Sequence, residues 1–225
     1  MLTWLIVAAE AQEFAGILRQ AKAAGPFTIE GVQFAREIAW NQHRWILIAN
    51  GPGPRLVNSA MRSIAKLGMH VDVVMSTGFC GALDPALRVG DIVISGAAPV
   101  QSTMPYVQGE VWSTDRVAVT KGEKRRLFEE TSAAVVEMES AAVAEHAARW
   151  GVPFHCVRVV SDSADHDMPL DFNNYRDADG RFSRARIALA AMARPFTAIP
   201  ALLQLDGNCR HAAGKLGEFL AHCEY

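Results

Sequence analysis

Residues 71–94 read VDVVMSTGFCGALDPALRVGDIVI, and their pattern sets the class of the fold. An apolar run, Val71–Ser76, leads into Ser76-Thr77-Gly78-Phe79-Cys80-Gly81-Ala82; a turn at Leu83-Asp84-Pro85 follows, then a second apolar run, Asp91–Ser95. Runs that are apolar almost throughout suit central strands covered by helices on both faces, because side chains alternate between the two faces and both must be buried. Outward from this stretch the same kind of run recurs at Thr3–Ala8, Arg44–Ala49 and His155–Val160. Between the runs lie segments with apolar residues at helical spacing: Ala11–Ala24, Arg55–Leu67, Lys121–Glu130, Ser140–Trp150 and Arg184–Ala193. Pro195 and Pro200 interrupt that pattern, and a last amphipathic helix is expected from about Gln204 to His222, burying Leu216, Phe219 and Leu220. Alternating strands and helices over the whole length predict a layered α/β fold.

The 225 residues, half of them apolar, suit one domain over residues 1–225 with a large core. With 22 basic against 24 acidic residues the chain lacks the broad positive field that a nucleic-acid backbone requires, so a small-molecule partner is expected. The opening run Met1–Ala9 has no basic leader, and no apolar stretch approaches the roughly 20 residues of a membrane span. Cys80, Cys156, Cys209 and Cys223 form no C-x-x-C pair and no zinc-ligand spacing with histidine, which predicts free thiols, a cytoplasmic protein and no metal. Two polar, poorly periodic segments, Val100–Arg116 and Asp165–Arg181, are expected to be loops over a site.

Three stretches carry chemistry. Gly78 and Gly81 would let backbone amides approach a ligand, although a plain strand-to-loop corner has the same composition. In Val135-Val136-Glu137-Met138-Glu139-Ser140-Ala141-Ala142 two carboxylates flank a methionine just before a small-residue helix, where a positive helix N-terminus favours them with or without a ligand. In Val157-Arg158-Val159-Val160-Ser161-Asp162-Ser163-Ala164-Asp165 an apolar strand ends abruptly in polar residues, the place where ligands of α/β sheets sit.

These three stretches together resemble the purine nucleoside phosphorylase and methylthioadenosine/adenosylhomocysteine nucleosidase superfamily. The matching signatures are "T-G-x-x-G-G/A-L" followed by "L-x-V-G-D-I-V", "V-x-M-E-x-A-A-x-A", and "R-x-I-S-D-x-A-D". The resemblance implies a three-layer α/β/α fold with a mixed central sheet, and cleavage of the N-glycosidic bond of a purine nucleoside by a homodimer or larger homo-oligomer. It implies that Glu139 accepts hydrogen bonds from the ribose hydroxyls, that Met138 packs on the sugar and that Glu137 supports the site. It gives Gly78, Phe79, Cys80 and Gly81 to substrate binding, and Asp162, oriented by Ser161, to proton donation at N7 of the departing purine. An acid at that position contributes on the order of 10²–10⁴-fold.

A further glutamate after the first strand is implied as orienting ribose or activating water, and both Glu10 and Glu13 stand there. Phosphorylase relatives carry an arginine in the place of Ser76 and a serine in the place of Phe79. Their absence favours water as nucleophile, although Arg55, beside Gly51-Pro52-Gly53-Pro54, could serve another anion site. The second half of the chain, with Thr114-Asp115-Arg116, Lys121-Gly122-Glu123-Lys124, Ala178-Asp179-Gly180-Arg181 and Arg194-Pro195, resembles the hopanoid-associated phosphorylase branch. That likeness implies an adenosyl-lipid substrate, inorganic phosphate as a possible co-substrate with no other cofactor, and an apolar path lined by Phe79, Trp112 or Phe172. His166, beside Asp165, reads as a surface histidine. A catalytically silent nucleoside-binding protein would not need an acid at N7.

Overall fold

The computed structural model describes residues 1–96 and 101–224; Val100, the first residue of one expected loop, lies outside them. The strands are β1 Thr3–Ala8, β2 Ala24–Pro26, β3 Phe34–Trp40, β4 His43–Ala49, β5 Val73–Ala82, β6 Ile92–Ser95, β7 Gln101–Ser102, β8 Val107–Gln108, β9 Val111–Ser113, β10 Val135–Glu137, β11 Phe154–Asp162 and β12 Cys223–Glu224. The helices are α1 Ala15–Gln20, α2 Pro54–Lys66, α3 Lys121–Thr131, α4 Ser140–Trp150, α5 Arg184–Met192 and α6 Ala198–Ala221, with single 3₁₀ turns at Ala11–Phe14 and Phe172–Tyr175.

The main sheet has the order β2-β3-β4-β1-β5-β11-β6-β8, with β10 pairing β5 and β9. Strands β4, β1, β5 and β11 run parallel, while β3 on β4 and β6 on β11 run antiparallel, so the sheet is mixed. Alternation along β1 builds the two flanking layers. Trp4, Ile6 and Ala8 join a cluster with Phe14, Ile17, Leu216, Phe219 and Leu220 of the α1 and α6 side. Leu5 and Val7 join a second cluster with Val57, Ala60, Met61 and Ile64 of α2 and Ala142, Val143 and Ala147 of α4. This is the three-layer arrangement, produced by the period of two in the strand and the one-sided apolar stripe of each helix.

Several elements differ from their sequence reading. The helix expected over Ala11–Ala24 is a 3₁₀ turn and a short α1, after which Ala24–Pro26 pairs with β3. Pro26 disfavours helical backbone at the residue before it, and the extended chain finds a strand to join. The strand expected to close at Ser76 runs on to Ala82, because β11 and β10 offer ladder partners to its far end. Pro200 does not interrupt a helix: α6 starts at Ala198, and a proline in the first turn costs no intrahelical hydrogen bond. The hairpin β3–β4 turns on Asn41 and Gln42, both at positive φ (43° and 65°). The α1–α6 contact is backbone to backbone: a Cβ at Gly16 would lie 1.8 Å from the Ala213 carbonyl oxygen, and one at Gly217 would lie 2.2 Å from the carbonyl carbon of Gly16. Glycine is the residue type that permits this approach, which holds α6 against the first turns after β1.

Candidate active site

A cavity of about 510 Å³ opens where the carboxyl ends of β1, β5 and β11 meet the β10–α4 junction. Glu10, Glu13, Phe79, Cys80, Gly81, Glu137, Met138, Glu139, Ser161 and Asp162 all line it. Gly78 does not line the cavity, and its part in the site is steric.

The glycines of β5 make room for carboxylates more than for a ligand. At Gly78, with φ of +126°, an added Cβ would lie 2.6 Å from Oε1 of Glu13, and at Gly81 it would lie 2.9 Å from Oδ2 of Asp162. In the space beside Gly78 the buried Glu13 carboxylate accepts 2.7 Å hydrogen bonds from the Phe79 and Glu10 amides. Burial pushes the Glu13 carboxyl up to about 7, against the pull of those amides and of Arg158. Glu10 sits half-buried at the start of the 3₁₀ turn; burial raises its carboxyl, and the charges of Arg184 and Arg181 oppose the rise. Glu10 and Glu13 thus both reach the cavity wall, Glu13 as the more enclosed of the two.

Around the junction of β10 and α4 three carboxylates share one guanidinium. Arg158, wholly buried in the middle of β11, pairs with Glu137 and lies 3.8 Å from Glu139; it also donates to the Ser76 hydroxyl at 2.6 Å and the Thr77 carbonyl at 3.0 Å. Glu137 further accepts from the amides of Glu139 and Ser140 and from the Ser140 hydroxyl. Burial alone would raise its carboxyl, but Arg158 and these donors hold it below the ordinary range. Glu139 accepts from the Gly53 amide at 2.9 Å; burial and the neighbouring Glu137 charge push its carboxyl well up. Met138 lies against Gly53, with Arg176 donating to its sulfur at 3.6 Å.

Asp162 lies across the sheet, at a register shift in the β11–β5 ladder opposite Gly81. Ser161 donates to its Oδ1 at 2.9 Å, and the wholly buried Lys124 donates to its Oδ2 at 2.5 Å. Lys124 Nζ also donates to the carbonyls of Ser163 and His166, so α3 and the turn after β11 are stitched together at this carboxylate. Asp165 and His166 form a pair on the surface, about three-quarters exposed.

One stretch of the remaining wall is apolar, with Met168, Phe172, Phe182, Ile187, Leu205 and Cys209, while Gln12, Arg116, Arg184 and Asp206 add polar and charged groups. Asn173 ties the loop that carries Phe172 to the chain before α3, accepting from the Val117 amide and donating to its carbonyl. Phe79 and Phe172 reach the cavity, whereas Trp112 on β9 is 44% exposed and does not line it, because β9 is displaced to the outer side of β10. Arg55 is also outside the wall; its guanidinium donates to the Ala178 carbonyl. Ser76 is held by Arg158 beneath the cavity floor.

The sequence reading assigned no role to Arg158, Lys124, Gly53, Arg116 or Arg184. Arg158 carried a signal, since a guanidinium in an otherwise apolar strand requires buried carboxylates. Lys124 carried none, because it is one of four consecutive charges in Glu123-Lys124-Arg125-Arg126.

Comparison with known proteins agrees with this fold. The 5'-methylthioadenosine/S-adenosylhomocysteine nucleosidase of Shewanella halifaxensis is 25% identical over 211 residues, covering 76% of this chain and 90% of that protein. The Neisseria meningitidis 5'-methylthioadenosine/S-adenosylhomocysteine nucleosidase in complex with methylthio-immucillin-A superposes with a TM-score of 0.67 at 22% identity, over 99% of this chain and 98% of that one. A futalosine hydrolase mutant of Helicobacter pylori superposes with a TM-score of 0.69 at 18% identity, over 98% and 97% of the two chains. The sequence profile of the phosphorylase superfamily matches residues 4–99 and 97–196, so this chain, with its mixed three-layer fold, belongs to the phosphorylase superfamily.

Proposed function

We propose that this protein cleaves the N-glycosidic bond of an adenine nucleoside by hydrolysis, in the manner its nucleosidase relatives' names describe. The observation that carries the reading is the convergence of Glu13, Met138-Glu139 and Asp162, from three separate parts of the chain, on one cavity.

In this reading Glu139 accepts the ribose hydroxyls while Met138 covers the sugar, and Glu137, neutralised by Arg158, holds the amides of the α4 start in place. Water attacks C1′ as the bond from C1′ to the purine breaks, and the bonding electron pair leaves with the base. Asp162 hands a proton to N7, so the base departs neutral; Lys124 fixes the position of the carboxyl. Glu13, whose carboxyl is pushed to about 7 by burial, takes the proton that the water gives up. Glu10 supports it through its backbone amide. Hydrolysis is favoured over phosphorolysis because a Glu13 carboxylate in this position repels a phosphate dianion, and the wholly buried Arg158 is committed to Glu137, Ser76 and Thr77.

A second reading is favoured by one observation. Met168, Phe172, Phe182, Ile187 and Leu205 form an apolar stretch of wall, which suits a bulky apolar 5′ group, such as that of an adenosyl-lipid; Arg184 on the same wall faces Glu10, and Arg116 is paired with Glu123, so a phosphate co-substrate would have to compete with these carboxylates. Incubation with methylthioadenosine, adenosylhomocysteine, adenosine and inosine, with and without phosphate, separates the two by following free base. Adenine released without phosphate, with kcat/KM rising as pH passes through about 7, is the expected result for ionised Glu13 as base. Strict dependence on phosphate would establish the second reading. No base released from any substrate, with binding retained, would mark a silent nucleoside-binding protein.

A further inference from the structure

The hairpin of α5 and α6 carries a surface that the cavity does not use. Leu189, Met192 and Leu203 are between 62% and 66% exposed, Ile199 is 38% exposed, and Phe196 at the tip is 93% exposed. A soluble surface rarely gathers five large apolar side chains within fifteen residues, and such a patch marks a contact site. The charge around it is one-sided. Arg184, Arg186 and Arg194 are exposed on this hairpin, which holds no aspartate, glutamate or lysine between residues 183 and 205; the flanking Asp179 and Asp206 are each paired with an arginine, Arg181 and Arg210.

We propose that the α5–α6 hairpin docks on an anionic lipid bilayer surface, with Phe196, Leu189, Met192 and Leu203 entering the boundary of the acyl chains and Arg194 lying among the headgroups. A convex apolar tip within a basic field is the composition by which a helical element lies in a membrane interface without crossing it. No helix among the described residues is long and apolar enough to span a membrane, so the attachment is peripheral. A second copy of the chain fits this surface poorly. A two-fold contact would set the patch against itself, arginine facing arginine, with no carboxylate in the segment to separate them. Ile187 of α5 and Phe182 just before it line the cavity, so the docked element is continuous with the cavity wall.

The test uses the full chain and sedimentation with vesicles of phosphatidylcholine alone, or with about one lipid in three replaced by phosphatidylglycerol. The expected result is binding to the phosphatidylglycerol vesicles that weakens as salt is raised. A Leu189→Ser/Phe196→Ser/Leu203→Ser variant should bind at least roughly tenfold more weakly, and Arg194→Glu severalfold more weakly. Circular dichroism and the thermal transition, expected to be retained because these side chains are exposed, show that both variants fold. Absence of binding, equal binding to phosphatidylcholine alone, or undiminished binding by the triple variant would overturn the proposal. So would a dimer in sedimentation velocity that the triple variant dissociates while neither protein binds vesicles.

Discussion

Two buried charge clusters face the same cavity and differ in their balance. At the β10–α4 junction Glu13, Glu137 and Glu139 surround one guanidinium, Arg158, whereas at the end of β11 Asp162 faces Lys124 one to one. In the first cluster the positive charge goes to Glu137, which is held ionised, while burial drives the carboxyls of Glu13 and Glu139 upward. Three carboxyl groups of similar sequence character are thereby made chemically different. In the second cluster a single carboxyl is fixed at both oxygens by Ser161 and Lys124, which defines its position.

The comparison can be broken most severely at Arg158. Arg158→Met leaves Glu137 buried beside two further carboxyls and should cost roughly 3–5 kcal/mol in urea unfolding, the usual loss when one partner of a buried pair is removed. Adding Glu137→Gln should recover part of that loss; no recovery would mean that the two clusters do not differ by charge balance. Next in size is Asp162→Asn, expected to lower kcat for adenine release by roughly 10²-fold or more while the fold survives. Full turnover by this variant would remove Asp162 from the acid role. Lys124→Met should cost about 1–3 kcal/mol, less than Arg158→Met because Asp162 is partly accessible to water. An unchanged midpoint in thermal unfolding would show that the one-to-one pair contributes nothing net.

The smallest effect sharpens the comparison through pH. Glu13 titrates near 4.5 in the unfolded chain and at about 7 in the folded one, so between these values the folded state holds a proton that the unfolded state has released. Its contribution is fully present below about 4.5 and is lost as pH rises through about 7. Glu139 acts with the same sign. The melting temperature of the unliganded protein should therefore fall between about pH 5 and pH 8. Glu13→Gln should remove a share of that slope on the order of 1–3 kcal/mol, or roughly 2–4 °C for each kcal/mol. Identical slopes in the two proteins would contradict the raised carboxyl at Glu13.

Much of this was legible in the chain. Strand β1 and helices α2, α3 and α4 follow from apolar periodicity, because a buried strand and a one-sided helix impose local patterns, whereas Glu139, Ser161 and Asp162, which line the cavity, were singled out through the family resemblance of short motifs. What was missed is non-local. Short strands such as β2 and β10 exist through the partner that pairs with them, and Pro200 is tolerated because of where α6 begins. The glycines of β5 showed the same limit: their freedom was plain, but their use, space for Glu13 and Asp162, depends on side chains distant in sequence.

The sequence by itself determined the layered α/β class and the carboxylates that could do chemistry, since those depend on periodicity and residue type. Only the tertiary structure decided which carboxylate keeps its charge. That outcome depends on the distances from Glu13, Glu137 and Glu139 to Arg158, and from Asp162 to Lys124, across elements up to about 150 residues apart, and Coulomb energy in a low-dielectric interior follows separation in space instead of order along the chain.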